Sequence, residues 1–353
     1  MAVNLHDKYA KQIQTKFTSE SLVAGRLSTE YSWAGAKTVK ISTPVTVPMV
    51  DYNRTGINRY GTPTEMEDTV QELTLTQDKS FCMTIDKGNN ADQSGIKPAG
   101  KMLSLQIAER AVPLMDTYVF KTLAEKAGKV VGNSTKLSKT TICERISEGT
   151  LHLDDAEVPA DNRTLFLSAE AYKLLKHSDE FLGVESLGQK ALAKGQVGLY
   201  DNMTVVKVVK SRWPANVNFM IVHKNAATAP VKLNDTKLHQ DPPGISGNLL
   251  EGRQYYDCFV FGAKCDGVYV EVDTSSGAGQ IVDTPVIAAA TGAITCATSG
   301  ATIVFTTDGT DPRYSNTAQT GSAAGTGVGK VVRAYAYKTG MYPSAVSQET
   351  LTA

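Results

Sequence analysis

The residues with the types and spacing for chemistry are few and scattered. In the stretch TTDGTDP, Thr306 to Pro312, Asp308 and Asp311 place two carboxylates close together, as a site for a hard cation would. Ca²⁺ takes roughly six to eight oxygens, and the neighbours offer few more. Asp308-Gly309 is instead the left-handed-tolerant pair of a tight turn, and Asp311-Pro312 opens a second turn, with Asp side chains capping backbone amides. Asp308, Gly309, Asp311 and Pro312 are therefore read as turn residues, and no metal is expected. A phosphate loop is suggested by AGTGVGK, Ala324 to Lys330, yet Ala324 stands where the first glycine belongs and Val331 where Ser or Thr should follow. The histidines His6, His152, His177, His223 and His239 are isolated, and HLDD, His152 to Asp155, lacks a second histidine at ligand spacing. GISGN, Gly244 to Asn248, has the wrong spacing for a nucleophile elbow. Cys82, Cys143, Cys258, Cys265 and Cys296 are odd in number, form no Cys-x-x-Cys pair and read as small buried hydrophobes. No catalytic constellation or cofactor site emerges, and an enzyme is not expected.

Binding or assembly is left, and the elements that position its surfaces become the question. The 353 residues are 41% hydrophobic, enough for a sizeable core in two or three domains. The charge balance, 36 basic against 36 acidic residues, gives no whole-protein field toward nucleic acid or an anionic membrane. The first residues have no apolar core of signal-peptide length, and no window approaches the roughly 20 apolar residues of a membrane span. Synthesis in the cytosol and no membrane partner are expected.

After about Asp273 the sequence turns Gly/Ser-rich, a linker over 276–284 read as flexible, and charged residues then thin out. The tail reads as short strands, VIAAA, AITCAT, ATIVFTT, KVVRAYAYK and SAVSQETLT, which suggest a small sandwich. ATIVFTTDGTDPRYS followed by VVRAYAYKTGMYPSAVSQ resembles the small immunoglobulin-like module at the C-terminus of chitobiase-type enzymes and of many bacterial and phage surface proteins. The resemblance covers most of 285–353 and implies an accessory module.

At the other end, Leu5, Tyr9, Ile13 and Phe17 recur at four-residue steps with lysines between them, an amphipathic arm over 1–35 that needs a groove. From Ala36 to about Asp86 the pattern is a long two-stranded ribbon, with Val39 and Ile41 on one flank and Leu73, Leu75, Phe81, Met83 and Ile85 on the other. Its polar, Gly- and Pro-containing middle carries Arg54 and Arg59, then Glu65, Glu67 and Asp68. Such a ribbon is marginal alone. It is either a floppy hairpin or an arm ordered by a neighbouring subunit.

A long helix is predicted over about 99–127 through Leu105, Ala108, Val112, Met115 and Val119, kinked or split by Pro113. Thr141 to Glu144 reads as a capping box, RTLFLS as a buried strand whose Ser168 caps a helix, and strands follow in NMTVVKVVKS, NFMIVHK and YYDCFVFGAKCDGVYVEVD.

The order of these parts, with GAKTVKI leading into the loop, LTLTQDKSFCMTIDK returning from it, and the later phrases VGLYDNMTVVKVVKSRWP, FMIVHKNAATAPVKL and EGRQYYDCFVFGAKCDGVYV, resembles the major capsid proteins of tailed phages, the Hong Kong 97 fold. The resemblance covers about 1–275. It implies an α+β chain with an N-terminal arm, an extended β loop over 36–90, and a spine helix with peripheral and axial domains over 91–275, plus the small all-β module. The implied function is a self-assembling icosahedral head around double-stranded DNA, located in the virion. The expected partners are further copies in pentamers and hexamers, scaffolding and portal proteins, DNA by weak non-specific contact, and glycans through the module. Scaffold is expected in trans, because no cleavable N-terminal segment is evident. Inter-subunit contact is expected at Leu5, Tyr9, Ile13, Phe17, Arg54, Arg59, Glu65, Glu67 and Asp68. A nanocompartment shell of the same fold and a cell-surface carbohydrate-binding protein are the alternatives.

Overall fold

In the computed structural model, residues 20–33, 36–44, 49–55, 57–63, 65–66, 68–92, 97–178, 198–277 and 280–352 are described. Leu5, Tyr9, Ile13, Phe17 and Glu67 lie outside them.

A six-stranded mixed sheet organises the body, in the order Lys129–Asn133, Val268–Asp273, Val217–His223, Arg163–Ser168, Met203–Val208, Leu199–Tyr200. Its inner strands are almost unbroken apolar runs because both faces are covered. Along Arg163–Ser168, Phe166 turns to one face and meets Phe120 of the long helix at a ring distance of 5.2 Å. Leu165 and Leu167 turn to the other face, into a core shared with Ile142, Ile146 and Leu153 of helix Ile142–Asp155. Ser168 caps helix Ala169–Lys176 by accepting from Ala171 N at 3.1 Å, as the sequence predicts. The capping box does not form. Thr141 starts its helix without a side-chain cap, and its hydroxyl instead accepts from Ser138 N at 3.1 Å, because the preceding turn competes for the same oxygen.

The long helix is interrupted where Pro113 requires it. An α segment Ala99–Gln106 passes through one π turn, Ile107–Ala111, into Val112–Glu125. Val112 N reaches back five residues to Ile107 O. The wider turn accommodates a proline that has no N–H to donate and crowds the turn before it.

The predicted ribbon is corrected in its second half. Among the described residues, Thr38–Pro44 pairs antiparallel with Asp68–Thr74 only, with Val39 opposite Leu73 and Ile41 opposite Gln71. Gln77–Asp86, which holds Phe81, Met83 and Ile85, joins a separate three-stranded sheet beside Gly247–Tyr256, which in turn pairs with Val231–Gln240. The Phe81 ring lies over Gly252, where a Cβ would stand 2.3 Å from it, so this register requires glycine.

Beyond the body, Val286–Ile287 pairs with Ile294–Thr295, and a four-stranded sheet runs Gln319–Thr320, Thr302–Thr306, Val331–Tyr337, Ser347–Thr350. The two sheets share a core of Ile287, Ile294, Phe305, Val332, Ala334 and Leu351. The first two strands are shorter than VIAAA and AITCAT suggest, and Gln319–Thr320 was not expected.

Candidate functional site

The side chains of the stretches with chemical potential are engaged in local hydrogen bonds and packing. Asp308 spends one carboxylate oxygen on Thr310 N at 3.0 Å and the Thr310 hydroxyl, and the other on the Thr317 hydroxyl. Gly309 holds φ at 77°, the left-handed position the turn needs. Asp311 accepts from Arg313 with both oxygens, and Pro312 is buried. AGTGVGK leads into strand Val331–Tyr337, whereas a phosphate loop opens a helix. His223 accepts from Asn225 N, and the ring of His152 packs beside Tyr269. Burial holds both imidazoles below the usual histidine range.

The ribbon carries the strongest signal for interaction. Its root is built into the molecule: Leu73 and Leu75 are buried with Trp33, Phe259 and Phe261, and Trp33 stacks on Phe259 at 5.6 Å. Trp33 Nε1 donates to Leu73 O. The Gln71 amide is used twice, donating to Val260 O at 3.0 Å and accepting from Gly262 N at 2.9 Å. Asp257, 3% exposed, ties three elements together. One of its oxygens accepts from Thr76 N and Oγ1, the other from Tyr118 OH on the long helix and from Cys258 N. Burial, with the Asp257 hydrogen bond second, pushes Tyr118 up to about 12.

The tip is the opposite. Met49 is 100% exposed, Ile57 95% and Tyr60 87%, and Val50, Tyr52 and Met66 are also open to solvent. Asn53 N bonds to Arg59 O, Gly61 N to Asn58 O, and Tyr52 and Tyr60 meet edge to face at 5.0 Å, so the tip has local structure without a core. Large apolar side chains clustered in water on an anchored arm are the kind of surface that a partner covers. Arg54, Arg59 and Glu65 lie exposed on this tip and Asp68 is exposed at the start of the returning strand. The apolar residues among them, Met49, Ile57 and Tyr60, were not singled out from sequence, although their density between Gly and Pro was available as a signal. Gln71 and Asp257 gave none, since the Gln71 partners and the Thr76 and Tyr118 partners of Asp257 lie more than a hundred residues away.

A second anchored entry is residues 20–33. Ser21 Oγ and Leu22 N both donate to Asp116 of the long helix, and Arg212 pairs with Asp116 at 2.8 Å while also holding Glu20 O at 3.0 Å. Val23 and Leu27 enter the main core. Residues 20–22 are therefore held beside the long helix. Among the described residues no helix is long and apolar enough to cross a membrane, and no acidic or histidine-cysteine cluster has the makeup of a metal site.

No protein-family model matches the chain, and no curated protein matches it. Solved structures do. A chain from Mycobacterium phage Che8 superposes with a TM-score of 0.62 at 17% identity, covering 76% of this chain and 98% of that one. The mature capsid of bacteriophage PhiM1 gives 0.60 at 13% identity, covering 78% and 92%. The head of Helicobacter pylori bacteriophage KHP40 gives 0.57 at 11%, covering 77% and 95%. The mixed helix-and-sheet chain has the phage-capsid fold that its sequence resembles. Roughly a quarter of the chain lies outside these matches.

Proposed function

We propose that this chain is the major capsid protein of a tailed bacteriophage, a structural subunit that self-assembles into an icosahedral head enclosing double-stranded DNA. The observation that carries the reading is the ribbon: a root locked into the core and a tip of exposed Met49, Ile57 and Tyr60. Such a tip is stabilised when a second copy covers it. Head-to-tail contacts of this kind close into rings, and repeated burial at about 25 cal/mol per Å² makes individually weak contacts jointly strong. The capsid fold supports the same conclusion. Scaffolding and portal proteins belong to such an assembly, and contact with DNA is weak and non-specific because the net charge is zero.

The 285–353 unit is assigned as an immunoglobulin-like accessory displayed by the subunit. On the face of Val331–Tyr337 opposite the unit's core, Tyr335 and Tyr337 pack ring to ring at 6.1 Å, and this pair is the place proposed for glycan contact. A glycan array probed with the full chain tests this; no binding at any concentration removes it.

Negative-stain electron microscopy and light scattering of the protein, alone and co-expressed with its neighbouring genes, test the main assignment. Closed particles or tubes tens of nanometres across are expected, with nuclease-protected DNA in particles from infection. A monodisperse 37.8 kDa species under both conditions refutes it. Particles that never hold DNA favour the nanocompartment alternative.

A further inference from the structure

We infer that the C-terminal unit is a brace on the body, and that its 311–314 turn is the clamp. This inference stands whether or not the chain forms shells. The final α turn of the long helix ends at Glu125, leaving carbonyls with no partner inside the helix. The C-terminal unit binds three consecutive carbonyls at the C-cap and just past it, those of Lys126, Ala127 and Gly128. Tyr314 OH donates to Lys126 O at 2.6 Å, and Arg313 Nη1 donates to Ala127 O at 2.9 Å and Gly128 O at 2.8 Å. A guanidinium here also meets the negative end of the helix dipole.

Arg313 is prepared for this task. Asp311 grips it bidentately, Nε to Oδ1 at 3.0 Å and Nη2 to Oδ2 at 2.7 Å, and the two side chains are only 10% and 13% exposed. A fork already fixed within its own turn loses little freedom on docking. The Asp311 and Pro312 positions thus acquire a purpose that turn chemistry alone does not give them: they aim Arg313 and Tyr314 at the helix end.

The clamp also closes a seam. Tyr314 packs so closely on Gly262 that a Cβ there would stand 2.6 Å from the Tyr314 Cβ. Arg313 Nη2 lies 3.8 Å from Cys265 Sγ, and that thiol is 4% exposed and pushed up to about 12, chiefly by burial. Gly262 N is the same group that donates to Gln71 of the ribbon root, so one turn of the body joins the clamp to the ribbon. A second hold lies away from the clamp, where Tyr342 OH donates to Ala215 O at 2.6 Å. The connecting segment is itself stitched to the unit, with Tyr342 N donating to Gln280 O and Val282 N to Tyr342 O.

Cys265 is a built-in reporter of this seam. In the full chain with Cys82 and Cys296 replaced by serine, maleimide modification read by peptide mass spectrometry compares Cys265 with Cys143. Cys143 is 3% exposed in the core on the other face of the central sheet, so it registers loss of the whole fold. Both thiols should react slowly in the parent. Arg313→Ala should speed Cys265 roughly 10- to 100-fold with Cys143 unchanged, the factor expected when charge-assisted bonds to buried carbonyls are lost. Arg313→Lys, which keeps the charge without the fork, should fall between. Gly262→Ala strikes the seam from the body side and should expose Cys265 with the C-terminal unit's own sequence intact. Cys265 reacting in the parent as fast as an exposed thiol, or unchanged in both Arg313→Ala and Gly262→Ala, overturns the brace. An equal rise at Cys143 also overturns it. None of these readouts requires a shell, so failure here and failure to assemble are separate results.

Discussion

Replacing Met49, Ile57 and Tyr60 together by serine separates folding from assembly. In the single chain these side chains are 100%, 95% and 87% exposed, so they contribute almost nothing to its stability. Chemical denaturation of the unassembled variant should stay within about 0.5 kcal/mol of the parent, as for surface substitutions generally. Assembly changes the sum. A fully buried apolar side chain of this size contributes about 1.5–3 kcal/mol, so three of them, incompletely covered, contribute on the order of 6 kcal/mol per tip. At about 1.4 kcal/mol per tenfold, the contact weakens by roughly 10⁴. Static light scattering across a concentration series, with negative-stain imaging of each point, should show the parent forming particles and the variant remaining unassembled throughout. Particles of the variant at the parent's threshold concentration would refute the reasoning, since the tip would then be uncovered in the shell as well. A loss of more than about 1 kcal/mol in the unassembled variant would refute it differently, by showing that the tip packs on its own chain.

Asp116→Ala should destabilise the body by about 3–5 kcal/mol in urea unfolding, because it removes the carboxylate that pairs with the buried Arg212 guanidinium and accepts from Ser21 and Leu22. Leu75→Ala, at a side chain 0% exposed in the ribbon root, should cost about 2–5 kcal/mol, and hydrogen exchange should rise in Thr38–Pro44 and Asp68–Thr74 more than in the central sheet. Gly252→Val should be strongly destabilising through the Phe81 ring, and Phe81→Ala in the same chain should restore part of the loss. His152 and His223 have folded values lowered by burial, so the unfolded chain takes up protons first; their contribution is whole above the ordinary value near 6.5 and is lost as pH falls through the folded values. Calorimetric Tm should therefore drop between pH 7 and pH 5, and His152→Phe, at a ring whose Nε2 has no hydrogen-bond partner among the described residues, should flatten part of that drop.

Much of the body was legible because its elements follow local rules. RTLFLS reads as a buried strand from its apolar centre Leu165 to Leu167, and Ser168 reads as a cap because an N-cap needs only its own next residues. Pro113 marked the interruption of the long helix, although sequence could not choose between a kink, a break and the π turn that forms. The capping box at Thr141 failed for a reason of the same short range, since Ser138 offers the hydroxyl a second donor. On the ribbon's exposed tip the charged residues Arg54, Arg59 and Glu65 stand beside an apolar surface of Met49, Ile57 and Tyr60 that period and motif spacing do not mark.

By itself the sequence determined the order of parts and the change of composition after Asp273, because period and turn chemistry are set within a few residues. Only the tertiary structure decided which strands meet. Gln77–Asp86 has the alternation of a ribbon strand but pairs with Gly247–Tyr256, where Phe81 finds the space above Gly252. It also decided that Asp257 joins Thr76 to Tyr118, and that an arginine two residues after a turn aspartate binds the backbone just past the long helix, 185 positions earlier. Such partners are chosen by the shape and burial of the whole molecule, and no local pattern encodes them.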